Sequence, residues 1–495
     1  MSTGVSAVIA HVPIGLYDLP IPLTTVLLAA VVVVAASFAL IYVRAPSAAG
    51  SGARARTVPP ALVGALTLAA FVYLGFVIGV GSYGRQQLAA LNAASLLFWV
   101  WTIPFLPLVH CLVGGMYQVA NPFAFVARRL GNGRRLVEAD RILDRLGYWP
   151  AVVLLFLLVF GESVSEIVQS PAVLGMAAMA YAALQISMGI LLGERWYQGG
   201  DVFSAMTGLA STIAPCAMRR QPGGSVVLET GFNPARFLPT APGREALVTL
   251  WLAGVLADGV RATPIWRTLI LPHTQSFFEQ MGMFAGVDLG SATEITLQIL
   301  VTWLAFGLFF WVFVAVATWL SATTAERDAV MTPARLRAVA HIVSPSLIPI
   351  ALAYLLAHNL TQILAVGPLI VTARDATAQQ VGPLTLELIN RLSPEWVWWT
   401  QVAAIVAGHV LAVVMAHARL TQAYPRAAAS PRTVAAGGPP DAVTAPVPSR
   451  AGSAMATRFA TDLAFRADLG WLSAMLIYTA TSLWILAQPI TAAGR

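Results

Sequence analysis

Ten long apolar runs are separated by short polar loops. They fall at roughly 20–43, 59–81, 92–119, 150–168, 170–193, 245–258, 295–321, 344–367, 397–419 and 468–488. A helix needs about 20 apolar residues to cross about 30 Å of hydrocarbon, and most of these runs reach that length. They are continuous and do not alternate, so they predict helices and exclude a β-barrel. The expected fold is all-α: a polytopic transmembrane bundle of about ten spans. The sixth run is short. Asp258-Gly259 near its end, with Pro264 beyond, reads as a break, so a half-helix or re-entrant segment is expected there.

The loops orient the spans. The chain has no lysine, and its 29 basic residues are all arginine. With the N-terminus outside, 23 arginines fall in inner loops and 6 in outer ones, as the positive-inside rule requires. That places both termini outside. Tyr148-Trp149 at an inner boundary and Trp396, Trp398, Trp399 at an outer one are interfacial anchors. Residues 1–423 should form a main bundle of about nine spans. Residues 424–456, rich in Pro, Ala, Gly, Ser and Thr, should be a disordered cytoplasmic linker. Residues 457–495 should carry the last span. Residues 122–147 read as a basic amphipathic surface segment, and 201–216 as a short interfacial or bundle-packed one. The first run lacks a basic leader and reads as a retained helix.

Composition narrows the class. The chain is 58% hydrophobic and 10% charged over 495 residues, against about 25% charged in a soluble domain. The basic residues are scattered among short loops, which excludes a nucleic-acid stripe. Cys111 and Cys216 stand far apart and form no metal or redox spacing.

The candidate chemistry is in the spans. Ionisable groups inside a bilayer are costly and mark pathways, metals or reaction centres. His358 and His409 lie on consecutive antiparallel spans, about 14 and 18 Å from the outer ends at about 1.5 Å per residue. They are expected to face one cavity at nearly one level. Asp258 is expected as a third ligand or orienter, and Glu162 as a proton acceptor, with Glu166 one turn on. Imidazole plus carboxylate is a donor set for zinc, copper or iron, so His358, His409 and Asp258 are the expected metal ligands. Alternatively, each histidine simply hydrogen-bonds a neighbouring helix. His110 and His417 lie at inner depth, and His11, Asp18 and His273 could cap an outer cavity. The stripe of Trp303, Trp311 and Trp319 reads as lipid-facing or packing.

Several stretches together carry a resemblance: Asp18-Leu19-Pro20-Ile21-Pro22, Asn121-Pro122-Phe123 and Leu146-Gly147-Tyr148-Trp149-Pro150-Ala151. To these add Asp258-Gly259 with Thr263-Pro264-Ile265-Trp266, Ile348-Pro349-Ile350 running to Ala357-His358, Gly408-His409 and Ala416-His417. Their order resembles the integral-membrane fenitrothion hydrolase family of actinobacterial and related genomes, from about residue 11 to 488. The resemblance implies a bacterial plasma-membrane protein that splits a lipophilic, organophosphorus-type ester, with a second membrane subunit as partner. Two other readings stay open: a transporter or permease subunit, and a haem- or copper-binding redox protein.

Overall fold

The computed structural model describes residues 21–43, 55–131, 139–164, 167, 170–231, 241–272, 283–284, 287–322, 331–372, 374–429 and 450–492. His11, Asp18, Glu166, His273 and residues 430–449 of the expected linker lie outside them.

Helices dominate. The principal ones are α1 (Leu23–Val43), α2 (Pro60–Tyr83), α3 (Ala93–His110), α4 (Trp149–Ser163) and α5 (Pro171–Leu192). They continue with α6 (Val202–Ala210), α7 (Arg244–Arg261), α8 (Leu289–Leu320), α9 (Pro333–Val343), α10 (Ile348–Ala365), α11 (Pro394–Ala429) and α12 (Arg450–Ala492). Proline stands at or next to the first position of α2, α4, α5, α9 and α10. There its fixed φ suits helix entry and its missing N–H goes unneeded. Among the described residues, eight helical segments are long and apolar enough to cross a bilayer. Asp140–Leu146 and α4, bent by 48° at their junction, pass the same test only when taken together as one segment. The protein is thus a multi-pass, all-α membrane protein.

Three details differ from expectation. The sixth run shows no break at Asp258-Gly259; its helix ends at Arg261, just before Thr263-Pro264. α7 is continuous to Arg261 and runs through the core, with Leu247, Leu250, Leu252 and Leu256 fully buried. Gly259 marks close packing, since a Cβ there would collide with Ile485 of α12. The third span ends at His110, where the chain turns into a short strand. The expected linker is helical at both ends, because α11 reaches Ala429 and α12 starts at Arg450.

The last helix belongs to the bundle. α12 packs against α11, α8 and α1, and α10 packs against α11. A second group forms where α2 meets α5 and α3. A small sheet joins β1 (Ala55–Thr57), β2 (Val113–Gly114), β3 (Cys216–Arg220) and β4 (Val226–Thr230) in the order β1-β4-β3-β2. It lies at the arginine-rich end, where α2 begins and α3 finishes.

Candidate functional site

Cross-helix contacts give the depth of each candidate. Gln401 of α11 donates its Nε2 to the Ala357 carbonyl of α10 at 2.8 Å. Further along, Gly408 lies against Ala353 and the Pro349 carbonyl. α10 and α11 are therefore antiparallel, with His358 near the level of Gln401 and His409 near the level of Ile350. That is an offset of about eight residues, or ~12 Å at about 1.5 Å per residue. The expectation that both imidazoles share one level is overturned: consecutive antiparallel spans need not be centred on each other, and here the packing of Gly408 sets the register.

The structure pairs His358 with Asp258 instead. α7 and α10 run parallel from Arg244, whose guanidinium donates to the His341 carbonyl at 2.9 Å just before α10 begins. Parallel travel from that anchor brings Asp258 beside His358, with Nε2 to Oδ2 at 3.8 Å. The two side chains are 18% and 30% exposed. Tyr354, one turn below, stacks on the His358 ring with centroids 6.2 Å apart. Around them, Gln298 donates to the Ala257 carbonyl at 2.6 Å and Asn359 to the Leu355 carbonyl at 2.9 Å. Arg261 lies 3.6 Å from Glu294 at the rim.

Glu162 occupies the last turn of α4 and is half-buried. Gly254 of α7 packs on Val159 of α4, and continuing both helices outward brings Glu162 to the level of Ala257. The three acid–base residues of this end thus come from α4, α7 and α10.

The donors do not fit the expected metal. Among the described residues, no three His, Cys, Asp or Glu side chains gather as a metal-holding group. A zinc site takes three or four protein ligands, and His358 with Asp258 supplies two. His409 stands too far along the bundle to complete the set.

The remaining histidines divide into settled and unsettled. His110 is settled: Nδ1 bonds the Leu106 carbonyl at 2.7 Å, and Nε2 accepts the Tyr117 N–H at 2.9 Å. His417 donates Nδ1 to Asp468 at 2.7 Å, tying α11 to α12. His341 lies 2.7 Å from Glu245, which also takes Arg244 at 2.9 Å. His409 is different. It is 0% exposed, bonds the Ile405 carbonyl through Nδ1 at 2.8 Å, and leaves Nε2 with no partner.

Sequence reasoning missed two buried carboxylates, Asp468 beside His417 and Asp201. Asp201 caps α6 by accepting from the N–H groups of Phe203 and Ser204 at 3.1 and 3.3 Å. It also accepts from Tyr181 at 2.5 Å, Asn121 at 2.8 Å and Tyr117 at 3.2 Å. Tyr181 is half-way along α5, so this carboxylate lies deep in the bundle. Its signal was an Asp placed just before an apolar run, the usual form of a helix N-cap.

No protein-family model, curated protein or solved structure matches this chain.

Proposed function

We propose that the protein is an integral-membrane hydrolase of a lipophilic ester, with His358 and Asp258 as its acid–base pair. The observation that carries this reading is the pair itself: an imidazole and a carboxylate 3.8 Å apart, both partly exposed, near one end of a membrane bundle. Intramembrane ionisable pairs are functional sites by default. The resemblance of the motif order to the fenitrothion hydrolase family suggests the ester class, with an organophosphorus triester as the first substrate to try.

In this reading a water lies within hydrogen-bond reach of both Nε2 and Oδ2. It attacks phosphorus as His358 Nε2 takes its proton, and the Asp258 charge stabilises the resulting imidazolium. The new bond is P–O from water and the broken bond is P–O to the aryl group. The aryloxide leaves with the electron pair, and the imidazolium returns its proton to the aryloxide or to bulk water. Glu162, at the same level, is the further proton acceptor. General-base catalysis of this kind contributes about 10²–10⁴-fold.

The topology proposed with it has ten crossings, α7 included, in a bacterial plasma membrane. The arginine-rich end is cytoplasmic, both termini and the His358–Asp258 pair are on the outer side, and a second membrane subunit is a partner.

The test is nitrophenolate release from a 4-nitrophenyl phosphotriester by the purified protein in lipid nanodiscs. Inserted, monodisperse His358→Ala and Asp258→Asn variants should each lose about two orders of magnitude or more in turnover. Full turnover in both variants, or none in the wild type with any aryl ester tried, overturns the reading.

A further inference from the structure

His409 sits where an unpaired imidazole nitrogen is hardest to explain. Its Nδ1–H is committed to the Ile405 carbonyl, so Nε2 is an acceptor with a free lone pair in a fully buried place. Buried polar atoms without partners are rare, and they usually mark an internal water, a functional role or both. Nor is this one isolated. Gln401 Oε1 on α11, Tyr478 Oη and Ser482 Oγ on α12, and Trp251 Nε1 on α7 are also buried without partners. These helices enclose the same core, and dry packing does not satisfy that many groups at once.

The titratable groups here are spaced along the bundle. Asp258 and His358 stand near one end, level with Gln401. Tyr354 follows one turn further in, and its hydroxyl would lie 3.3 Å from a Cβ on Gly259, beside Asp258. His409 comes next. His417 follows two turns further along α11, another ~12 Å at about 1.5 Å per residue, hydrogen-bonded to Asp468. Between the last two levels is Ser346, in the 3₁₀ turn Ser344–Leu347 that leads into α10. Its fully buried hydroxyl donates to the Val343 carbonyl and accepts from Trp471 Nε1 at 2.9 Å. At the arginine-rich end the series reaches Glu245 and His341, which is 29% exposed.

We infer that His409 is the central relay of a proton path across the bundle, running from Asp258–His358 past Tyr354 to His409 and on past Ser346 to His417–Asp468. Internal waters bridge the gaps, since ~12 Å exceeds the reach of one hydrogen bond of about 2.8 Å. At each hop Nε2 of His409 takes a proton from a water on one side and gives one up to a water on the other, while Nδ1–H stays bonded to the Ile405 carbonyl, so the tautomer is restored at the end of each transfer. No electron moves and no co-reactant is needed. By the register of the packed helices, the titratable residues nearest the level of His409 on α10 and α12 are Tyr354 and Tyr478. Among the described residues no charged side chain sits at its own level, as suits a relay that must not trap the proton.

This path does not depend on the ester reading, because its readout needs no ester. The protein is reconstituted into sealed liposomes loaded with a pH-sensitive dye, and a valinomycin potassium potential drives protons inward. Wild type should acidify the lumen at least tenfold faster than protein-free liposomes. His409→Gln keeps a hydrogen-bonding side chain of similar size but cannot titrate, and should fall to the protein-free rate. His110→Gln, at a histidine outside the path, should keep the wild-type rate. Equal rates for wild type and protein-free liposomes overturn the inference, and so does a folded His409→Gln variant that conducts like wild type. Ester turnover measured on the same preparations separates loss of the path from loss of the outer pair.

Discussion

Gln401 hydrogen-bonds the Ala357 carbonyl, and this one bond between α11 and α10 fixes which residues can share chemistry. It puts His358 at the level of Gln401 and moves His409 about two turns away. A donor set of His358, His409 and Asp258 is therefore not available, and the pair His358–Asp258 is.

The same register depends on Gly408, whose missing side chain lets α11 approach Ala353 and Pro349. Gly408→Leu should force the two helices apart at a cost of about 1–3 kcal/mol, the usual range for overpacking. Thermal unfolding in detergent should show a lower midpoint. Because the displaced helix carries Gln401 past His358, ester turnover per folded molecule should fall as well. A variant as stable and active as wild type would mean the register is not held there.

The His417–Asp468 pair is buried, with side chains 7% and 2% exposed. Removing one partner of a buried hydrogen-bonded pair leaves the other unsatisfied, at a cost of about 1–3 kcal/mol. Asp468→Ala should therefore destabilise the junction of α11 and α12. Asp468→Asn, which keeps an oxygen to accept from Nδ1, should recover much of that loss. Equilibrium unfolding in mixed micelles would rank the two variants, and equal stability would show that the pair holds nothing together.

His110 supplies the contrast. Both ring nitrogens are used within α3 and the turn after it, so its role is to hold the Tyr117 N–H. His110→Phe should cost about 1–3 kcal/mol, the penalty for an unpaired buried donor. Ester turnover per folded molecule should stay within about twofold of wild type. Loss of turnover without loss of stability would give His110 a chemical role that its bonds do not suggest.

The sequence made the membrane class and most of the helices legible, because hydrophobic run length is set by bilayer thickness and survives any packing arrangement. Asp258 and His358 also stand out in the sequence, each an ionisable group in an apolar run. That Asp258 stands beside His358 agrees with the expected set; that His409 stands apart from both could not be read. Depth was counted from each run's own end, whereas real depth depends on the relative shift of helices, which Gly408, Gly259 and Gln401 determine. α7 was misjudged for a related reason. Its Asp258-Gly259 looked like a break, but in a bundle a glycine also admits a neighbour such as Ile485. The His417–Asp468 pair joins residues on either side of the long polar stretch, and nothing in local spacing announces it.

Asp201 is the clearest case of a feature seen only in three dimensions, and it leads to the last prediction. Its carboxylate accepts from two tyrosines, an asparagine and two backbone N–H groups, all in the second helical group around α5 and α6. With every lone pair engaged, it is a structural keystone and leaves no oxygen free for a substrate. Asp201→Ala removes a helix cap worth about 1 kcal/mol and strands several buried donors, each costing about 1–3 kcal/mol. The variant should insert poorly or unfold well below the wild type. Tyr181→Phe deletes one donor to the carboxylate and the acceptor of the Val202 N–H, and leaves the carboxylate its other partners, so it should cost about 1–3 kcal/mol, less than Asp201→Ala. Limited proteolysis of the loop between α5 and α6, run on both variants, should show rapid cutting for the first and near-normal resistance for the second. If instead Asp201→Ala proved stable but inactive in the ester assay, the carboxylate would be acting on substrate and the keystone assignment would be wrong.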